Sequence, residues 1–478
     1  MTYRVLLAAA LLFAGCADDQ AGRSANASAE TAEPVSIPSD PYPSTYAPFP
    51  SGATVIRGGV ILTGDGERLD DGAILIEDGV IAAIGDAVDA PEGAREIDAT
   101  GRWITPGVID IHSHLGVYPS PSVPSTEDGN EDTNPVTGQV WAEHSIWAQD
   151  PGFGKALAGG VTTLHVMPGS ANLFGGRTVT LKNVMSRTVQ EMKFPGAPYG
   201  LKMACGENPK RVYGEYKGRA PATRMASFAG YRQAWIDAGE YAKKWDEYRQ
   251  KAENGDAKAK PPARNLNKET LAAALEGDIL VHMHCYRADE MAFILDMAKE
   301  FDYQVTAFHH AVEAYKIADL LAESGACSAV WADWWGFKLE AYDAIAENAA
   351  LLEKAGACAV IHSDSPVGIQ RLNQEAAKAM AAAQEMGLDI DRADAIRWIT
   401  LNPAEALGID EAVGSLETQK AADIVIWSGD PFSVYSKADQ VFIDGALLYD
   451  RADPSLTPRS DFEIGQRALD ALSEGDAR

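Results

Sequence analysis

Two histidines one residue apart, His112 and His114, close the apolar run "PGVIDIHSHLGVY" at residues 106–118. In a β-strand, side chains at i and i+2 leave the same face. Both imidazoles therefore project together from a strand terminus, where the chain turns into Pro- and Ser-rich sequence. Alone, the fragment also fits two half-buried histidines capping a core strand. The rest of the chain bears against that. "LVHMH", "AFHH" and "VIHSD" end three further strand-like runs and bring His282, His310 and Asp364 to the same rim. Of the 9 histidines, only His144 lies away from a candidate strand or its end. Neutral imidazoles with a carboxylate suit one or two divalent transition-metal ions, Zn²⁺ first, with Mn, Co or Fe as alternatives.

The elements that must position these residues alternate along residues 104–408. Candidate strands are "WITPGVIDIH", "GVTTLHVM", "RTVTLK", "GLKMAC", "DILVHMH", "YQVTAFHH", "CSAVWAD" and "CAVIHSD", and helical patterns such as "RADEMAFILDMAKEF" separate several of them. Strands with crossovers predict an α/β fold, a (β/α)8 TIM-type barrel with its chemistry at the C-terminal strand ends. Residues 51–103 and 409–458 instead carry short apolar runs joined by Asp-Gly turns, the pattern of antiparallel strands. Neither stretch closes a sheet alone, so the two ends of the chain are expected to pair into one flanking β-sandwich. A polar loop at 115–145 reads as a lid or substrate wall. A helical insertion at 208–276 carries Phe228, Tyr231, Trp235, Ala238, Tyr241, Trp245 and Tyr248 at near-helical spacing, which reads as packing.

The first residues, "MTYRVLLAAALLFAGC", have the charge, short apolar stretch and small residues of a secretion signal, and are too short to span a bilayer. Ala14-Gly15-Cys16 matches bacterial lipoprotein processing over residues 1–16, which implies acyl chains on Cys16 as the membrane anchor; a plainly exported soluble protein is the alternative. Residues 17–50 read as a flexible tether and 459–478 as a tail. The expected location is the bacterial cell envelope, with the catalytic domain in the periplasm or outside the cell. A net charge of −28, from 69 acidic and 41 basic residues, argues against nucleic acid as a partner. Self-association stays open. Cys205, Cys285, Cys327 and Cys358 lie in or beside apolar runs and read as buried free thiols, with a disulfide as the alternative that an exported protein leaves open.

With these pieces assembled, the chain resembles the amidohydrolase superfamily of metal-dependent hydrolases from residue 52 to about 450, and within it the imidazolonepropionase-related group. The resemblance rests on "PGVIDIHSH", "GGVTT", "VHMH", "FHH", "HSDS" and the tail "ITLNPAEALGIDEAVGSLETQKAADIVIWSGDPF", with "PGSANLFGGRTVTLK" and "GLKMACGENPKRVYG" shared with exported members. It implies that His112 and His114 ligate the more buried metal, that His282 and His310 serve from the fifth and sixth strands (with His309 as runner-up), and that Asp364 is both ligand and proton carrier. It also implies that a fourth-strand lysine, Lys202, carries a carbamate bridging two ions. Burial would leave its amine neutral and able to capture CO₂; pairing with Glu207 is the alternative, and Lys182 the weaker rival.

A water held by such ions has its pKa pulled from about 15.7 toward roughly 7, and Asp364 then shuttles its proton to the leaving nitrogen. The expected activity is hydrolysis of an amide, peptide or cyclic amide bond in a small molecule or short peptide. Dipeptidase-like cleavage, deamination and a non-catalytic binding lipoprotein are the competing readings. His284 is a candidate for holding the substrate carbonyl or orienting a ligand. Arg287 is a candidate carboxylate clamp or a surface ion pair, and His165 and His362, without a matching ligand role, read as core or as residues that support the ligands from behind.

Overall fold

Two Asp-Gly pairs turn as the sequence predicts. Asp78 and Gly79 have φ of 51° and 82°, and Asp444 and Gly445 have 47° and 73°, the double left-handed geometry of a type I′ hairpin. In this computed structural model, which describes residues 35–120 and 122–457, those hairpins belong to one sheet. Its strands are β1 (Thr54–Leu62), β2 (Arg68–Glu77), β3 (Val80–Gly85), β4 (Arg95–Asp98), β5 (Trp103–Pro106) and, from the other end of the chain, β14 (Ile424–Trp427), β15 (Ala438–Ile443) and β16 (Ala446–Asp450). The order is β16-β15-β14-β5-β1-β2-β3, with β4 beside β1. The two ends meet where β14 pairs antiparallel with β5, Ile424 opposite Pro106. The hydrogen bonding runs continuously through these eight strands, a sheet separate from the barrel and built, as expected, from both ends of the chain. Ile56, Ile74, Ile104, Ile424, Ile426 and Phe442 form its buried core.

The barrel is built from β6 (Val108–Ser113), β7 (Val161–Val166), β8 (Phe174–Lys182), β9 (Gly200–Ala204), β10 (Leu280–Cys285), β11 (Ala307–His310), β12 (Cys327–Val330) and β13 (Ala359–Ile361), which neighbour one another in that order. It is nearly closed. One strand departs from the expected (β/α)8 pattern: β8 runs antiparallel to both β7 and β9. Only residues 167–173 separate β7 from β8, whereas a parallel return needs a crossover of about a dozen residues or more. The chain has no choice but to come straight back. Lys182, at the end of β8, therefore sits opposite Thr163 near the start of β7, away from the C-terminal rim. There its ammonium binds Asp444 at 2.7 Å and Asp423 at 3.4 Å, tying the barrel to the flanking sheet.

No ladder joins β13 back to β6, and side chains close that seam. The Asp110 carboxylate accepts the backbone N–H of His112 at 3.1 Å and of Ser363 at 3.2 Å, together with the Ser363 hydroxyl. Asp364 N–H donates to His112 O at 3.1 Å. The first and last strands are thus held in register at the height where their histidines emerge.

The insertion forms a 30-residue helix, Arg224–Glu253, and a second helix, Leu266–Leu275. Tyr231, Trp235, Tyr241, Trp245 and Tyr248 are buried along its inner face, and the Trp235 ring meets Phe174 of β8 edge-on at 5.0 Å. The stripe is packing.

Three expectations need correction or bounding. The four cysteines are not free: Cys205 bonds to Cys285 and Cys327 to Cys358. Each pair comes from neighbouring strand ends, with Cys205 N–H donating to His284 O at 2.8 Å and Ser328 N–H to Cys358 O at 2.9 Å. Only strand register reveals that adjacency, and the linear sequence does not contain it. With partners 80 and 31 positions apart, chain-entropy arguments make each bridge worth roughly 4 kcal/mol. Second, the described part of the stretch read as tether, residues 35–50, is fastened to the barrel. Asp40 binds Lys193 at 2.8 Å, Ser44 Oγ donates to Lys193 O at 2.6 Å, and Tyr46 and Phe49 pack against the core. Third, the signal, Cys16 and the 459–478 tail lie outside the described residues.

A first testable consequence lies at the Cys205–Cys285 bridge. Glu290, 2 % exposed, stands 3.4 Å from Cys205 Sγ and 3.4 Å from Arg224 Nη1. Burial, reinforced by Glu340 and opposed by Arg224, pushes its carboxyl up to about 7. Between its ordinary value and about 7 the folded protein holds a proton that the unfolded chain has released, so stability falls as pH rises through that window. Denaturation of wild type and Glu290→Gln at pH 5 and pH 8 should show the variant losing less stability on the alkaline side, by about 2–3 kcal/mol. Parallel pH curves for the two proteins would refute the assignment.

Candidate metal centre

His114 fixes the electrostatic problem of the site. Its Nδ1 lies 2.8 Å from the Met167 carbonyl oxygen, which only accepts, so Nδ1 carries the proton. Nε2 then presents a lone pair, yet it faces Asp364 Oδ1 at 3.1 Å and His112 Nε2 at 3.3 Å. His112 Nε2 is itself 3.5 Å from the same carboxylate oxygen. Acceptors do not converge at these distances without positive charge between them. A proton on one of these ring nitrogens or a cation must occupy the position. His112, His114 and Asp364 offer ligand atoms within 4.8 Å of one another, and so do His112, His310 and His362.

The deeper rings form a chain. His112 Nδ1 meets His309 Nδ1 at 3.0 Å, and His309 Nε2 meets His282 Nδ1 at 2.9 Å. With the His112 Nε2 lone pair turned to the site, Nδ1–H donates to His309, and His309 Nε2–H donates to His282. Burial holds His112 and His309 well below the ordinary imidazole value, with Lys202 adding to it for His112 and His282 adding to it for His309. Burial, again with Lys202, lowers His282 to about 3. All three stay neutral, which is the ligand form.

Local backbone geometry aims two of the groups. His310, at the end of β11, and Asp364, just past β13, have φ of 71° and 48°, a left-handed conformation that His and Asp adopt more readily than most residues and that clusters at functional sites. His309 spends both ring nitrogens on neighbouring histidines, whereas His310 Nδ1 has no hydrogen-bond partner and lies 3.9 Å from Asp364 Oδ2. The Asp364 side chain is 25 % exposed, into a cavity of about 340 Å³ lined by His114, Tyr118, Ser120, Ser122 and Ser365. Burial works to raise its carboxyl, but the His114 hydrogen bond and charge, with His362 and Lys202, outweigh it and hold the group below the ordinary value.

Lys202 sits in β9 at 0 % exposure, 3.4 Å from His112 Nε2 and 2.9 Å from Met167 Sδ. Burial brings its amine down to about 7, against the pull of Asp364. Glu207, the alternative partner, binds Arg211 at 3.0 Å instead.

The structure therefore gathers His112, His114, Asp364, Lys202 and His310, and sets His282 one ring further in, behind His309. The His284 ring lies 4.5 Å from His310, its Nδ1 unpartnered and its Nε2 3.5 Å from Asn208 Nδ2. Arg287 forms a surface pair with Asp289 at 2.9 Å and is not turned to substrate. His165 bonds Thr180 Oγ1 at 2.9 Å deep in the barrel. His362 is the residue sequence reasoning passed over: both its nitrogens are buried without partners, and its ring stacks on His112 at 5.1 Å. Its signal was present, because "HSD" places His362 and Asp364 at the same i, i+2 spacing as His112 and His114.

The "NLFGG" loop serves the site indirectly. Asn172 Nδ2 donates to Glu131 O at 2.7 Å and Asn134 O at 2.8 Å, pinning the 115–145 loop. Gly176, at φ 116°, would bring a Cβ to 2.4 Å from Val140 O. A larger cavity, about 600 Å³, lies between residues 36–44 and the Tyr241–Trp245 stretch. It contains no histidine, and its buried Lys193 is already bound to Asp40 at 2.8 Å. The histidine-lined site carries the chemistry.

Buried, partnerless ring nitrogens on His310 and His362, beside the converging nitrogens of His112 and His114 and the Asp364 carboxylate, are the donor set a divalent transition metal takes. The residues fit the group.

The amidohydrolase family matches residues 103–448. Amidohydrolase tasK of Hapsidospora irregularis is 32 % identical over 431 residues, which are 83 % of this chain but 43 % of that protein, so the chain spans under half of it. An imidazolonepropionase of Cupriavidus taiwanensis is 25 % identical over 75 % of this chain and 85 % of its own length. Among solved structures, an amidohydrolase from Thermotoga maritima superposes with a TM-score of 0.76 at 33 % identity, covering 83 % of this chain and all of its own.

Proposed function

From the premise that this chain belongs to the amidohydrolase family and is a hydrolase of C–N bonds, we propose that it cleaves the amide bond of a small N-acyl amino acid or short peptide. The single observation that carries the reading is the convergence of His112 Nε2, His114 Nε2 and Asp364 Oδ1 within 3.1–3.5 Å. His112, His114, Asp364 and His310 would hold a first divalent ion, Zn²⁺ by ligand type, and a carbamate formed on Lys202 would serve a second. When bound, such an ion makes water acidic and polarises a carbonyl.

The chain's own groups do the rest. Met167 O keeps the His114 lone pair turned inward. Asp364, whose side chain borders the cavity, takes the proton from the attacking water and hands it to the leaving nitrogen, without which an amide anion leaves poorly. His284, with its free Nδ1, is placed to steady the substrate carbonyl. The relatives named imidazolonepropionase favour a second reading, opening of a cyclic amide, which uses the same steps.

We also infer export. Two disulfides in one chain support an oxidising compartment, and the secretion-signal pattern of the first residues points the same way. Among the described residues no helix is long and apolar enough to cross a membrane. Anchoring through acylated Cys16 is therefore the proposed attachment, and fractionation of wild type and Cys16→Ala tests it: the variant should leave the membrane fraction.

The test of the activity is chelation. Protein stripped of metal should lose at least 100-fold in activity on a panel of N-acyl amino acids and dipeptides, within the range assigned to acid–base and metal assistance, and regain it on reloading with Zn²⁺. Activity indifferent to metal removal would end the proposal.

A further inference from the structure

The sequence motif "GENPK" and the loop after β12 meet at a point the chemistry above does not use. Lys338 lies in that loop, its side chain 14 % exposed, with Nζ 3.9 Å from the Tyr286 ring centroid. Tyr286 in turn stacks on His310 at 5.2 Å. Nζ donates to Asn208 Oδ1 at 3.3 Å, and Asn208 Nδ2 reaches His284 Nε2 at 3.5 Å. A lysine ammonium has three protons to give. Two acids also pair with it through longer ion contacts, Glu340 at 3.7 Å and Glu207 at 4.0 Å, and Glu207 is shared with Arg211 at 3.0 Å. The cation rests on an aromatic face, one amide oxygen and two ion pairs longer than a hydrogen bond, one ring removed from His310.

Next to it runs an aromatic wall. Trp331 stacks on His310 at 4.4 Å, and Trp334 stacks on Trp331 at 5.3 Å. Phe337 meets Trp331 edge-on at 5.8 Å. Trp334 and Phe337 are 40 % and 58 % exposed. Large aromatic faces left open beside a charged group and a catalytic rim mark a ligand surface.

We propose that Lys338, supported by Asn208, receives the free carboxylate of the substrate while Trp331, Trp334 and Phe337 take its apolar side chain. The preferred class is then an N-acyl amino acid or dipeptide whose C-terminal residue is aromatic or large and aliphatic. This rests on the amide-hydrolase reading and narrows it. The dimensions agree. Contacts of 3.9 and 5.2 Å place Nζ no further than their sum, about 9 Å, from the His310 ring. A reacting-atom approach of roughly 3 Å, one residue of about 3.5 Å and a charge-assisted bond of about 2.8 Å reach about that far, so the separation does not exceed what such a substrate covers. Lys338 is a positioning and specificity residue, distant from the bond that breaks.

The test compares N-acetyl-phenylalanine with its neutral N-methylamide, reading acetate release by metal-loaded wild type, Lys338→Met and Lys338→Arg. The expected result is a KM for the carboxylate that rises about 30- to 100-fold in Lys338→Met with kcat within about threefold, partial rescue in Lys338→Arg, and no change for the N-methylamide. Equilibrium binding of N-acetyl-phenylalanine, followed by tryptophan fluorescence, should weaken in parallel. Equal loss on both substrates, or none on either, overturns the assignment, as does wild type that prefers the N-methylamide. Wild type that hydrolyses neither compound, yet binds the carboxylate through Lys338, leaves this site standing and removes the amide-hydrolase reading. Wild type that neither hydrolyses nor binds it removes both.

Discussion

Asp364→Asn should lower kcat by roughly 10²- to 10⁴-fold while leaving the protein as stable as wild type. The residue joins two duties. Its Oδ1 lies against His112 and His114, and its Oδ2, the oxygen not engaged by them, is the base. An amide keeps the shape and one oxygen but cannot take a proton from the attacking water. Asparagine also suits the φ of 48° that this position demands, since Asn and Asp adopt the left-handed conformation more readily than other side chains. Alanine would add backbone strain and blur the result. Steady-state kinetics at saturating metal, with thermal denaturation alongside, separates the two effects. A variant that retains more than about a tenth of wild-type kcat would show that another group carries the proton.

Lys202→Met should raise stability and depress function together. The wild-type amine is wholly buried, touches no acid and is held near neutrality by burial. Replacing it with a thioether of similar volume removes the cost of burying a polar group. The same change deletes the nitrogen that would carry a bridging carbamate. Metal content should fall from about two ions per chain toward one, and activity by about 100-fold or more. A purely structural lysine would give the opposite pattern, a lower melting temperature and unchanged metal. The Lys182→Met variant is the control, because its ammonium is bound to Asp444 and Asp423 at the far rim. It should destabilise the protein and leave metal content alone.

These residues differ in how far the sequence exposed them. His112, His114 and Asp364 were legible because period-two spacing at a strand end is a local property. Burial of Lys202 followed from the apolar run around it. The pairing of both chain termini in one sheet followed from short runs that cannot close a sheet alone. What failed to show was whatever depends on register between distant strands. The two disulfides join residues 80 and 31 positions apart, and although barrel order sets β9 beside β10 and β12 beside β13, the register that brings each pair of sulfurs together is not written in the sequence. The reversal of β8 was readable in principle from the short 167–173 link, yet the run itself looks like any barrel strand. The division of labour between His309 and His310 depends on a positive φ at His310, which neighbouring identical side chains cannot announce. Lys338 was silent for a related reason: a lone lysine in a loop looks solvated until the fold lays it over Tyr286.

The most direct test is anomalous diffraction from crystals of the active protein grown with Zn²⁺. The strongest peak should lie between His112 Nε2, His114 Nε2 and the Asp364 carboxylate. If active crystals carry zinc only at surface positions, with those three side chains unliganded and still in mutual contact, the metal-centre account is wrong.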